Sequence, residues 1–333
     1  MIDLTNNRVF IIAAMGNAHE GDPESAIAII EAAARSGADA VKFQLFTAAE
    51  LAIPSFSYYD IYKQYEMSSG AWGALVDHAH NLNLQVFTDV YGLSSMELAK
   101  LLGVDGLKIQ IADVPNVPLT KRVGAFGSPI LLSLAGSTWG ETAAAIATLE
   151  TAGAESIIIM LGFPGYPTEL SNSYSERIQM LRTKSALPVG FASHVDAESS
   201  QAIMLPIGAM AAGVDVIEEH ITLDRSKKGS DYYPSLEPEQ FTQMVKLLRA
   251  MESAREGHPP EILVDDEETR LKHGRWVVAT RYIGAGEKFS FENVALLRTD
   301  NPPSGYPLSL GRVIGRIAGN SVAMHSVICL EDL

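Results

Sequence analysis

Short apolar runs recur along the chain up to residue 255: Val9–Ala14, Ala40–Gln44, Gln85–Thr88, Gly106–Ile111, Pro129–Ser133, Ser156–Leu161, Val189–Ala192 and Val214–Glu219. They are nearly all apolar rather than alternating, the pattern of strands buried on both faces. Between them, apolar residues repeat at helical spacing around 24–36, 70–82, 93–102, 116–126, 138–152, 172–183, 197–212 and 237–254. The first unit shows the local logic. Asp22-Pro23 offers an N-cap with proline at the first helical position. Ile27, Ile30 and Ala34 then mark one helix face, and Gly37 is placed to end it. Eight strand–helix pairs over this length predict a (β/α)8 TIM barrel, which takes about 250 residues. A doubly wound open sheet is the alternative, but no GxGxxG follows the first run.

The pattern changes after residue 256. Residues 257–269 read as a linker, from the Pro-rich stretch ending at Glu261 to the acidic run Asp265–Glu268. Residues 270–333 carry short β-like runs with close turns: Arg275–Thr280, Gly284–Gly286, Val294–Leu297, Gly311–Ile317 and Ser321–Val327. They predict a small β-rich domain whose own core is thin.

Charge narrows the partners. The formal net charge of -15 argues against nucleic acid and anionic membranes. Any anion site must be a local positive pocket within an acidic shell. One cysteine, Cys329, excludes an internal disulfide, and the chain reads as cytoplasmic. No signal peptide is evident at the start, and no apolar run nears the ~18 residues of a membrane span.

In a barrel of this type the site forms at the C-terminal strand ends. Lys42 and Lys108 lie inside apolar runs. A buried lysine needs an anion, either a barrel carboxylate or a bound one. With Thr88 and Ser133 also at strand ends, the pattern favours phosphate. His194 and His220 close neighbouring runs, and adjacent parallel strands lie ~4.8 Å apart. The two imidazoles are therefore placed to share a divalent ion, and imidazole with oxygen ligands suits Mn, Zn, Fe or Co better than Mg. His19, after the first run, is placed to face the same mouth. Acids near it are Asp89, Asp113, Glu218, Glu219 and Asp231. Asp113 reads equally as a general base or a helix N-cap, and Asp231 as a hydroxyl contact or a turn residue. The loop Leu161–Thr168 is rich in Gly and Pro and offers Tyr166 as a pocket wall.

Four segments then carry a resemblance: Gly37-Ala-Asp-Ala-Val-Lys-Phe-Gln44, Gly165-Tyr-Pro-Thr168, Ile217-Glu-Glu-His-Ile-Thr-Leu-Asp224 and Ser235-Leu-Glu-Pro-Glu239. In order and spacing, from about Ile11 to the end, the chain resembles the sialic acid synthase family. These enzymes condense phosphoenolpyruvate with amino sugars to nine-carbon sugar acids. The tail resembles the antifreeze-like SAF domain, which in that family reaches over the partner's barrel in a domain-swapped homodimer. The resemblance implies that Lys42, Thr88, Lys108 and Ser133 hold phosphoenolpyruvate. It implies that His194 and His220 hold manganese or magnesium. Tyr166 and Asp231 would contact the sugar, Asp113 would handle the attacking water, and Arg298 would reach the neighbour's sugar site. Departures surround these positions: Ala14 for an acid, Ala18 for Asn, Ile111 for Ser, Pro164 for Asn or Ser, and Ser193 for Asp. They predict retained chemistry and leave the acceptor open, an N-acyl hexosamine-type sugar that is N-acetylmannosamine or a derivative of it. Two readings compete. One is an aldolase or other sugar-acid synthase acting on phosphorylated ligands. The other is a non-catalytic sugar-binding homologue.

Overall fold

The computed structural model describes residue 2 and residues 8–162, 168–169, 176–255, 268–269, 272–300, 303 and 308–333. By contacts the chain divides into two units, Met1–Glu256 and Gly257–Leu333.

The first unit is the expected (β/α)8 barrel. Its strands are β1 (Phe10–Ala14), β2 (Ala40–Leu45), β3 (Gln85–Val90), β4 (Gly106–Ile109), β5 (Ile130–Ser133), β6 (Ile157–Leu161), β7 (Val189–Ala192) and β8 (Val216–His220). They pair in sequence order, all parallel, and β8 closes onto β1. The helices are α1 (Pro23–Arg35), α2 (Ala48–Leu51), α3 (Tyr59–Tyr65), α4 (Ser69–Asn81), α5 (Leu93–Leu102), α6 (Val117–Gly124), α7 (Trp139–Thr151), α8 (Glu176–Ser185), α9 (Gln201–Ala211) and α10 (Pro238–Arg255). The Asp22 side chain accepts from the backbone N–H of Glu24 and Ser25, capping α1 as its sequence predicts. Gly37 takes φ +84° just beyond that helix. The short helices α2 and α3 have no counterpart in the hydrophobic pattern. The segment is anchored by aromatic contacts instead, with Phe46 and Tyr62 at 6.0 Å.

Two apolar layers follow from strand alternation. Outward residues such as Val41, Phe43, Val86, Leu107, Ile159 and Ile217 pack under the helices. Inward residues such as Phe10, Ile12, Phe87, Leu131, Ile158 and Val216 fill the lower lumen. Space there is tight. A Cβ on Gly106 would lie 2.1 Å from the Phe87 ring, and one on Gly190 would lie 2.2 Å from the Met160 sulfur. At the base, Arg249 of α10 donates to the Val9 carbonyl at 2.7 Å and to Asp39 at 2.5 Å. Asp39 in turn accepts from the Ile11 amide at 2.8 Å.

In the second unit, β9 (Trp276–Ala279) and β10 (Val294–Leu297) pair antiparallel. Single bridges join Val278 to Val327, Ile283 to Val322 and Lys288 to Ile317. The predicted run Gly311–Ile317 instead opens on a helical turn, Leu310–Val313. Val277, Ala279, Ile283, Phe289 and Val313 form a compact core. Cys329 is a free, partly buried thiol. No described helix is long and apolar enough to cross a membrane.

Gly106→Ala is expected to destabilise the barrel by about 1–3 kcal/mol in urea or thermal unfolding, because the Phe87 ring cannot yield. Gly190→Ala is expected to cost less, since the Met160 thioether can swing aside. Equal, negligible losses would contradict this account of the lumen.

Candidate active site

A cavity of about 440 Å³ opens at the C-terminal ends of the strands. Alternation decides what faces it. Lys42, Lys108, Ser133, Glu218 and His220 all line it, and so does His194, two residues beyond the end of β7. Ala14 stands beside Lys42 on one side and His220 on the other. Asp89 pairs in register with Lys108.

The floor is a buried ionic cluster. Lys42 is 1% exposed, Asp89 0%, Lys108 5% and Glu218 3%. Lys42 Nζ donates to Asp89 Oδ2 and lies 3.4 Å from Glu218 Oε1. Lys108 Nζ reaches from β4 across the lumen to both Glu218 oxygens, at 2.7 and 2.9 Å. Burial opposes the Lys42 charge, but Asp89 and Glu218 more than offset it and hold the ammonium above its ordinary value. Burial likewise pushes the Glu218 carboxyl up, and Lys108 and Lys42 overcome it, holding the acid below the usual range. The sequence left two partners open for these lysines, a barrel carboxylate or a bound anion. The barrel supplies carboxylates to both.

The imidazoles sit above this floor. The His194 and His220 rings lie 5.3 Å apart at 46°. Burial, with Lys42 adding to it, pushes His220 down to about 4, so the ring is neutral near pH 7. Its Nδ1 is buried without a hydrogen-bond partner. A neutral imidazole with an unused nitrogen fits a metal ligand. Among the described residues no group of three or more His, Cys, Asp or Glu is arranged to hold an ion. An ion held here would take its protein ligands from the two imidazoles.

At the rim, Asp231 lines the cavity and its Oδ2 accepts from the Asn17 amide at 3.1 Å. Gly16 makes that approach possible. It has φ +54°, and a Cβ there would lie 2.7 Å from Asp231 Oδ2 and 3.3 Å from the His220 ring. Tyr91 also lines the cavity, its hydroxyl raised well above its ordinary value by burial and then by Asp89, Asp231 and Asp113. Glu219 points the other way. It is buried, both its oxygens accept from Ser193 Oγ at 3.0 Å, and burial keeps it protonated well above the usual range.

Thr88, Asp113 and His19 are not among the residues lining the cavity. Thr88 has outward parity, pairs with Phe43, and donates to the Asp89 carbonyl at 3.0 Å and more weakly to that of Phe43 at 3.4 Å. Because β3 runs on to Val90, Asp89 takes the inward place. Asp113 lies in a 3-10 turn, Ile111–Asp113, where it accepts from Asn116 at 2.8 Å. Burial raises its pKa. It is not among the residues lining the cavity, whereas Ile111 and Ala112 are. His19 packs edge-on to Trp72 at 5.5 Å and is not a lining residue. Tyr166 lies outside the described residues. Arg298 follows β10 in the second unit and is exposed. Gln44 and Gln110 line the cavity and were missed. Each stands two residues beyond a lysine, so period two from Lys42 and Lys108 was the signal that pointed to them.

A family model described as NeuB matches residues 29–258. The chain belongs to the NeuB family. It is 28% identical to an N,N'-diacetyllegionaminic acid synthase of Legionella pneumophila, over 97% of this chain and 94% of the relative. It is 27% identical to a pseudaminic acid synthase of Campylobacter jejuni, over 98% of this chain and 97% of the relative. Among solved structures it is similar to an N-acetylneuraminic acid synthetase of Leptospira borgpetersenii in complex with citrate. That match has TM-score 0.75 and 26% identity, covering 81% of this chain and 93% of the other. A NeuB barrel with its lysines at the floor and its histidines above them is the frame for the chemistry.

His19 supplies a test of the burial logic. Its Nδ1 accepts from the Gly21 amide at 2.9 Å, and burial pushes its pKa to about 4 despite Asp22 and Asp231. The unfolded chain binds this proton first. Stability from this residue is therefore complete above about pH 6.5 and is lost as pH falls toward 4, by about 3 kcal/mol at most. His19→Asn keeps an acceptor for Gly21 and is expected to flatten the pH dependence of unfolding in that window. An unchanged slope would contradict the assignment.

Proposed function

We propose that this protein is a phosphoenolpyruvate-dependent nonulosonic acid synthase. It joins C3 of phosphoenolpyruvate to the aldehyde carbon of an open-chain N-acyl hexosamine-type sugar. Water adds at C2, and phosphate leaves with cleavage of its C–O bond. The observation that carries the reading is the convergence of Lys42, Lys108, His194 and His220 on one cavity within a NeuB-family barrel.

Lys42 and Lys108 bind and orient the phosphate and carboxylate, with Ser133, Gln44 and Gln110 as neutral hydrogen-bonding groups around them. This work is mostly positioning and electrostatics. Asp231 accepts from a sugar hydroxyl, its own carboxylate being fixed by the Asn17 amide. His194 and His220 hold a divalent ion, manganese or magnesium. When bound, that ion supplies Lewis-acid polarisation of the acceptor carbonyl. Charge supports its presence: Asp89 and Glu218 already neutralise both lysines. A phosphate-bearing anion entering that floor gains most when a dication enters as well. Asp113 has no part in this scheme, because it is turned to Asn116. Arg298 is assigned to the acceptor site of a partner copy in a homodimer, with the second unit as an SAF-like domain.

The test is phosphate release from phosphoenolpyruvate with Mn²⁺ across a panel of N-acyl hexosamines, with mass analysis of the product. A nine-carbon 2-keto acid is expected. His194→Ala and His220→Ala are each expected to lower kcat at least about 100-fold, in line with loss of a metal ligand set. Both should also lose tight Mn²⁺ binding by electron paramagnetic resonance. Near-normal turnover in His220→Ala with metal still bound would refute the assignment.

A further inference from the structure

Asp89 is a charged, fully buried residue at the floor that the scheme above gives no contact with substrate. Its Oδ2 is bound to Lys42, and its Oδ1 is buried with no hydrogen-bond partner. The two carboxylates of the cluster differ in what they hold. Glu218 lies between both lysines, 2.7 Å from Lys108 Nζ and 3.4 Å from Lys42 Nζ, and so ties β8 to β2 and β4. Asp89 bonds Lys42 alone among the cluster's cations. The floor would keep its bridging carboxylate without Asp89, and its two lysines would then share one carboxylate and carry one uncompensated positive charge. With Asp89 in place, two ammonium groups face two carboxylates, and Asp231 adds a further acid at the rim. In a buried site such pairs are only weakly screened by solvent and salt. An incoming anion therefore meets a neutral floor, and it must compete with Asp89 for Lys42.

We propose that Asp89 is a specificity-determining residue: it acts as a built-in counter-anion on Lys42, so that the pocket rejects a lone phosphate-bearing anion and admits it together with a divalent cation. The proposal rests on the anion pocket described under Proposed function. It makes uptake of the organic phosphate conditional on the metal, a coupling set by one side chain of β3.

The test is titration calorimetry on the full chain with phosphoenolpyruvate and, separately, inorganic phosphate, each in EDTA and in Mn²⁺. Parent, Asp89→Asn and Asp89→Thr are compared, with thermal melting to show that each is folded. In EDTA, Asp89→Asn is expected to bind both anions at least tenfold more tightly than the parent, and Asp89→Thr to follow it. In the parent, Mn²⁺ is expected to tighten phosphoenolpyruvate at least tenfold, and in the variants that gain should shrink. Folded variants that bind no more tightly than the parent in EDTA would overturn the proposal. So would a parent whose affinity is the same with and without Mn²⁺, a result that stands even if neither variant folds. A parent that ignores phosphoenolpyruvate under every condition would defeat the synthase reading. The inorganic phosphate comparison would then still decide the role of Asp89.

Discussion

Four charges buried inside the barrel set the terms for everything at its mouth. Lys42, Asp89, Lys108 and Glu218 come from four strands, and Lys108 crosses the lumen to reach Glu218. Below them the lumen is packed with Phe87, Leu131, Ile158 and Val216. The cluster therefore marks where the core ends and the site begins. Breaking such a pair by removing one partner typically costs about 3–5 kcal/mol, because an uncompensated charge remains. The same energetics favour keeping the four side chains paired.

The paired floor gives the histidines their setting. His220 belongs to the same inward row as Glu218, and its neighbour across the register is Ala14, whose small side chain leaves the ring unobstructed on that side. Gly16 brings the loop after β1 against Asp231 and the His220 ring. Burial keeps that ring neutral, which is the form a metal requires. Cations below, imidazoles above and an acid at the rim suit the anion, divalent ion and polyhydroxylated acceptor proposed for this pocket.

Much of this was legible in the sequence, and the reason is periodicity. Runs such as Ala40–Gln44 and Ser156–Leu161 lie within a residue or so of observed strands, because both faces are buried and most residues in them are apolar. Lys42, Lys108 and His220 stood out as polar exceptions to that rule. What the sequence hid was parity at strand ends. Thr88 and Asp89 are adjacent, and β3 runs two residues past Thr88 to Val90, so alternation from the inward Phe87 gives the lumen to Asp89. The end of β4 posed the same problem. Its last strand residue is Ile109, and the chain then turns, so that Asp113 bonds Asn116 rather than entering the cavity. Ion pairing across the barrel was also beyond sequence patterning, since Lys108 and Glu218 are 110 residues apart.

A crystal structure of the protein grown with phosphoenolpyruvate and Mn²⁺ tests the central claim most directly. The account predicts anomalous density for manganese between His194 and His220, with the ligand's phosphate or carboxylate against Lys42 and Lys108. Manganese bound elsewhere, or an anion held outside the barrel while both lysines keep only their carboxylate partners, would contradict it.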